Sequence, residues 1–222
     1  MEIRTGFHKR LREIQEDILI MGSMAEKAIT RSTGALRERD LELAHRIIAD
    51  DGIIDKKRFE IEEKCINLIA TQQPMAGDLR VIVSILNIVV ELERIGDYAE
   101  GIARIVVMIG DEPPLKPLVD IPRMAEKTTS MLRRSLDAFV NRDAELARMV
   151  SDEDTDVDNL YDQVFRELVS FMIEDPKKVT RATRLMWVAH NLERCADRVT
   201  NICERVVFIV TGEMTDIGAS KY

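Results

Sequence analysis

The stretch Leu92-Glu93-Arg94-Ile95-Gly96-Asp97 returns 100 residues later as Leu192-Glu193-Arg194-Cys195-Ala196-Asp197, and reading the two together decides the fold. Around the first copy, Ile85, Ile88, Leu92, Ile95, Ala99, Ile102 and Val106 advance in alternating steps of three and four. Leu185, Val188, Leu192, Cys195, Val199, Ile202 and Val206 make the same steps at the same offset. That alternation is the apolar seam of a long helix packed in a bundle. In each copy a Glu follows the seam Leu and an Asp stands four residues further on. The two acids therefore share one side of the helix, away from the seam.

Working outward, Phe7, Leu11, Ile14, Ile18, Met21, Ala25 and Ala28 predict a first helix over 7–39. Asp40 is placed to cap a second, running to about residue 73. Pro74 closes that helix and opens a third, ending near 109. The segment 110–117 holds three of the chain's six prolines and cannot be helical. After it the plan repeats. A fourth helix spans about 119–141, and Arg142-Asp143 repeats Arg39-Asp40 at an offset of 103. In the fifth helix Val150, Val157, Val164 and Phe171 answer to Ile47, Ile54, Ile61 and Leu68, while Asp154 and Asp158 answer to Asp51 and Asp55. Pro176 takes the part of Pro74, a sixth helix runs to about 210, and Gly212 stops it. Short connections between long helices make them antiparallel neighbours. The expected fold is all-α, with two tandem three-helix bundles related by internal duplication: residues 1–110, a Pro-rich linker 111–117, and residues 118–222.

Composition agrees. Apolar residues are 45%, aromatics only 5% and charged residues 32%, which suits helix packing better than a sheet sandwich. A net charge of −8 argues against nucleic acid as a partner, because phosphate contacts need clustered Lys and Arg. Met1-Glu2-Ile3-Arg4 begins no signal peptide, and no apolar run reaches the length of a membrane span. The three cysteines, 65, 195 and 203, lack CxxC spacing and read as reduced thiols of a cytoplasmic protein. Cys65 and Cys195 fall on apolar seams, where they serve as small buried groups.

The carboxylates carry what chemistry there is. Glu93/Asp97 and Glu193/Asp197 are i,i+4 pairs, as are Asp51/Asp55 and Asp154/Asp158 on the preceding helices. Like charges at that spacing repel unless something positive lies between them. If the second and third helices of each half are neighbours, four carboxylates converge on each bundle. All-oxygen ligation suits Mg, Ca, Mn or Fe, with Zn possible. A plain solvated acidic face competes with this, since 40 acids in 222 residues supply roughly seven such pairs by chance. Arg94 and Arg194, beside the acids, are placed to neutralise them. His190 precedes Glu193, the reverse of the Glu-x-x-His order of di-iron bundles, and Val90 stands at its place in the first half. His190 therefore reads as a polar-face residue rather than a ligand. The acidic run 151–158 lacks the central Gly and terminal Glu of an EF-hand. Asp78, at a helix start, compensates the helix dipole.

The chain resembles the PhoU family of bacterial phosphate-signalling regulators over nearly its whole length. The carriers are Asp51-x-x-Ile54-Asp55, Gln72-Gln73-Pro74-x-Ala76-x-Asp78-Leu79-Arg80 and Leu92-Glu93-Arg94-Ile95-Gly96-Asp97. In the second half they are Asp154-x-x-Val157-Asp158-x-Leu160-Tyr161 and Leu192-Glu193-Arg194-x-x-Asp197. Cys195-Ala196 departs from the commoner Ile-Gly form while keeping both acids. The resemblance implies acidic motifs that hold multinuclear iron or zinc in some members: Asp51, Asp55, Glu93 and Asp97 in site one, Asp154, Asp158, Glu193 and Asp197 in site two. It implies a non-enzymatic, often homodimeric cytoplasmic protein, peripheral to the membrane. Such a protein restrains the phosphate-starvation response by coupling the ATPase of the phosphate-specific transporter to a sensor histidine kinase. The residues also admit a metal-free protein-binding scaffold or a metal-dependent hydrolase, although a general base, nucleophile or pocket for the latter is not evident.

Overall fold

The structure, a computed structural model, describes residues 2–214 and Ile217, with side chains from Gly6 onward. Eight α-helices are seen among them: α1 (Glu2–Glu38), α2 (Leu41–Asp50), α3 (Gly52–Gln72), α4 (Ala76–Ile109), α5 (Asp120–Asn141), α6 (Ala144–Asp152), α7 (Asp154–Glu174) and α8 (Val179–Thr211). A 3-10 turn at Pro176–Lys178 leads into α8. No strand occurs among the described residues. The protein is two tandem three-helix bundles: α1, α2–α3 and α4, then α5, α6–α7 and α8.

The Arg-Asp corners work as their sequence implies. Asp40 Oδ1 accepts from Leu43 N at 2.8 Å, and Asp143 Oδ1 from Leu146 N at 2.9 Å. Arg39 and Arg142 supply the reversal by taking left-handed φ of 56° and 52°, uncommon for residues with a side chain.

In one respect the helices differ from expectation. The second and fifth are not continuous: α2 gives way to α3 at Asp51, and α6 to α7 at Glu153. Neither break uses proline. Ile54 N bonds Asp51 O at 2.9 Å, and Glu153 N bonds Val150 O at 3.2 Å, so each break is one tightened i,i+3 turn. Gly52, a poor helix former, weakens the first. The run of like charges from Asp152 to Asp156 weakens the second. Each break leaves an acid of the internal repeat, Asp51 or Asp154, at the start of the next helix.

Every predicted seam residue of α4 and α8 is buried, as are Ile47, Ile54, Ile61, Leu68, Val150, Val157 and Val164. Each fully buried Ile or Leu contributes about 1.5–3 kcal/mol. Phe171 is the exception: it lies at the bundle edge under Lys178, whose Nζ is 5.2 Å from the ring centroid. All three cysteines are buried and free.

The bundles meet along α4 and α8. Asn201 Nδ2 donates to Glu91 Oε2 at 3.1 Å, Cys195 Sγ lies 3.9 Å from Ile95 O, and Asn191 covers Gly101. Residue numbers rising on α4 thus meet falling numbers on α8, so the helices are antiparallel. The Glu91–Asn201 and Gly101–Asn191 contacts exchange under the 100-residue offset, which is the signature of an internal two-fold axis near Ile95 and Cys195. Beside this seam α1 meets α5, where a Cβ at Gly22 would overlap Leu136 Cδ1. One apolar core runs through both halves.

Candidate metal centres

Site one is assembled by close packing of α3 on α4. A Cβ at Gly96 would lie 2.9 Å from Ile54 Cδ1, so the glycine is what lets Ile54 seat on α4. With Ile54 seated, Asp51 and Asp55 face the acids of α4. In the second half the equivalent pair is Val157 and Ala196, both buried. One methyl is lost on α7 and one gained on α8. The departure from Ile-Gly in the second motif is thereby compensated, and both pairs of acids are held.

In site one Asp51, Asp55 and Asp97 each offer a carboxylate oxygen, all within 4.8 Å of one another; among the described residues no other three acids or histidines come together so tightly. Burial, then the charges of Glu100, Asp97, Asp55 and Glu93, pushes Asp51 up to about 6. Asp97 also rises to about 6, through desolvation of its inner side and the charges of Glu93, Asp55 and Glu100. The fourth acid is engaged elsewhere: Arg58 Nη1 donates to Glu93 Oε1 at 2.7 Å, and Arg58 Nε to Glu62 Oε1 at 2.8 Å. Beside Asp51 opens a cleft of about 340 Å³ bordered by Lys27, Arg31, Gly96 and Glu100.

Site two is looser and more desolvated. Burial, then Asp158 and Asp197, pushes Asp154 up to about 7. Burial, then Asp197, Asp158 and Asp154, pushes Glu193 up to about 7 against the opposing charge of Arg194. Asp158 is raised by burial and by Asp197 and Asp162, and Asp197 by burial in spite of Arg198, Arg194 and His190. Two oxygens, Asp154 Oδ1 and Glu193 Oε2, are buried without a hydrogen-bond partner. A buried acceptor left unsatisfied costs about 1–3 kcal/mol, more when charged. His190 Nδ1 lies 3.2 Å from Glu193 Oε2 but lacks the alignment of a hydrogen bond. Burial and Arg194 lower the pKa of the imidazole.

Among the described residues neither arginine the sequence suggested forms an ion pair with these acids, although the charge of Arg194 opposes the rise of Glu193 and Asp197. Arg94 points to solvent, and Arg194 stacks over Tyr98, its guanidinium carbon 5.0 Å from the ring centroid. The cation inside site one is Arg58, from α3; its equivalent at the 103-residue offset is Tyr161. Mutually raised carboxylates with orphaned, buried oxygens are a donor set that a cation relieves, and their oxygen-rich character fits Mg, Ca, Mn or Fe, with Zn.

Known proteins share this architecture. The PhoU domain family model matches residues 18–106 and 121–206. The phosphate-specific transport system accessory protein PhoU homolog of Clostridium acetobutylicum is 42% identical over 215 residues, covering 96% of this chain and 98% of that one. The protein of the same name from Aquifex aeolicus is 41% identical over 206 residues, covering 93% of each. The crystal structure of PhoU from Pseudomonas aeruginosa superposes with a TM-score of 0.89 at 35% identity, over 93% of this chain and all of that one. The phosphate transport system regulatory protein PhoU from Streptococcus pneumoniae gives 0.88 at 30% identity, over 95% and 99%.

Proposed function

This chain belongs to the PhoU family, and from that premise we propose that it is a non-enzymatic regulator of phosphate uptake and of the phosphate-starvation response. It acts through two metal-bearing acidic sites and couples a phosphate transporter to a sensor histidine kinase. The names of its relatives, accessory and regulatory proteins of phosphate transport, support the transport half of this reading. Among the described residues no helix is long and apolar enough to cross a membrane. That accords with action from the cytoplasm, against membrane proteins rather than within the bilayer.

The observation that carries the metal half is the pair of buried oxygens without a hydrogen-bond partner, Asp154 Oδ1 and Glu193 Oε2, among carboxylates that raise one another. Asp51, Asp55 and Asp97, joined by Glu93 when Arg58 releases it, hold the first ion; Asp154, Asp158, Glu193 and Asp197 hold the second. A bound cation supplies positive charge and open coordination positions for an anionic group. Without it each site presents clustered negative charge that repels acidic surfaces; with its carboxylates neutralised, the same face is open to an acidic segment or phosphate. Gly96 and Ala196 keep the paired helices close enough for this, and Arg58 acts as an internal counter-ion for site one.

Elemental analysis of protein purified without chelator tests the metal sites. Wild type should retain metal and the Asp97→Asn, Asp197→Asn double variant should not; equal metal content in the two refutes the assignment. A phosphate-starvation reporter in cells lacking the gene tests the regulation. In phosphate-rich medium it should be derepressed, then silenced again by wild type but not by the double variant.

A further inference from the structure

The two acidic sites are copies in sequence but not in chemistry. At the position where site one has Arg58, site two has Tyr161; at the position where site one has Val90, site two has His190. In site one the guanidinium holds Glu93 Oε1 at 2.7 Å. In site two, among the described residues, no arginine or lysine forms an ion pair with Glu193, whose Oε2 is buried without a hydrogen-bond partner. Facing that oxygen, 3.2 Å away, is His190 Nδ1. The His190 ring lies 6.0 Å from that of Tyr161, tilted by 44°, so the residue that replaces the arginine also flanks the imidazole.

The 3.2 Å approach is that of an ion pair when the imidazole is protonated, and it is equally the spacing of two ligand atoms sharing one ion. An imidazole nitrogen and a carboxylate oxygen, each about 2.1 Å from a metal and set at tetrahedral to octahedral angles, are about 3.0–3.4 Å apart. His190 is also one helical turn before Glu193 and two before Asp197, on their face of α8. The order His-x-x-Glu is the reverse of the di-iron pattern, but reach depends on the spacing of three and not on its direction.

We propose that His190 is a nitrogen ligand of site two, so that the sites take different cations: a borderline transition metal such as Zn²⁺, Co²⁺ or Fe²⁺ at site two, and a harder cation, in competition with Arg58, at all-oxygen site one. Imidazole favours the later first-row metals, whereas carboxylate-only sites suit Mg²⁺, Ca²⁺ and Mn²⁺. The inference rests on the reading of the acidic clusters as metal sites.

The test is a titration of chelator-stripped full-length protein with Co²⁺ and separately with Mn²⁺, followed by calorimetry and visible absorption. Electron paramagnetic resonance of the Cu²⁺-loaded protein reports nitrogen directly. Wild type should show a tight Co²⁺ class with nitrogen ligation and a weaker class. His190→Ala should weaken the tight class tenfold or more, shift its absorption bands and remove the nitrogen splitting, while leaving Mn²⁺ binding at the weaker class unchanged. His190→Gln, which keeps a hydrogen-bonding side chain, should fail to restore any of these. An unchanged tight class and spectrum in His190→Ala, or full rescue by Gln, overturns His190 as a ligand while the metal sites stand. Absence of metal from both sites in wild type overturns the sites and this inference together.

Discussion

Replacing Glu193 by Gln should stabilise the metal-free protein, and by an amount that depends on pH. The Glu193 carboxyl is pushed from its ordinary 4.5 up to about 7, first by burial and then by Asp197, Asp158 and Asp154. A raised folded-state value means that the native protein binds this proton more tightly than the unfolded chain does. Below about 4.5 the group is protonated in both states and costs nothing. As pH rises through the interval to 7 the unfolded chain ionises and the native one resists, so stability falls, and above 7 the penalty is constant. The gap is worth at most about 3 kcal/mol. The side chain is 17% exposed, and water reaching the cluster cuts this to roughly 1–2 kcal/mol. Urea unfolding in chelator, followed by circular dichroism, should give Glu193→Gln a higher midpoint than wild type at pH 8, with unchanged slope, and converging midpoints near pH 4.5. For a chain of this length the pH 8 difference corresponds to about 2–8 °C in Tm. Metal should then reverse the order, since a ligand at 100 times its Kd adds about 2.7 kcal/mol to the form that binds it. A variant less stable than wild type at pH 8 in chelator would refute the reasoning, because it would mean that native cations already hold Glu193 in its charged form.

Gly96→Ala alone should be nearly neutral or cost about 1 kcal/mol, as overpacking against Ile54 offsets the better helix propensity of Ala; with Ile54→Val it should become stabilising. The double-mutant cycle should therefore return a coupling of about 1 kcal/mol in urea unfolding, and simple additivity would reject the packing argument. Asp17 is buried between α1 and α3, with Lys57 and Lys64 each at 2.6 Å. Burial would raise its pKa, but the two lysines outweigh it and lower it. Asp17→Asn should cost about 2–3 kcal/mol near neutral pH in thermal melts, and that difference should shrink as pH falls below about 4, where unfolded and then native Asp17 take up a proton.

Much of this was legible in the sequence because helix packing writes itself as period. The seam residues, the offsets of 103 and 100, and the Arg-Asp corners all announce themselves by spacing alone. The breaks at Asp51 and Glu153 do not, since each is one tightened turn in helical backbone with no proline to mark it. Adjacency in sequence misleads at Arg94 for a similar reason. Arg94 is adjacent to Glu93 in sequence, but one residue turns a helix by about 100°, which carries it away from the acid. Arg58, 35 residues distant, reaches Glu93 because α3 lies against α4. Its presence is foreshadowed only by the mismatch of Arg58 with Tyr161. At His190 the spacing of three to Glu193 can be read from the sequence, whereas the 3.2 Å approach of Nδ1 to Glu193 Oε2 cannot.

The seam of α4 on α8 repeats itself by two-fold rotation, while the covalent tie between the halves is the short segment after Gly110, fastened to the second half by Glu112 pairing with Arg181 and Arg184 and by Lys116 pairing with Glu167. Cohesion therefore belongs to the seam and not to the tie. A chain severed within 111–117 should migrate as a single noncovalent particle. Either half made alone bares a self-complementary stripe and should seek a twin. Such a twin would carry two identical acidic sites, free of the divergence that Arg58 and His190 now record.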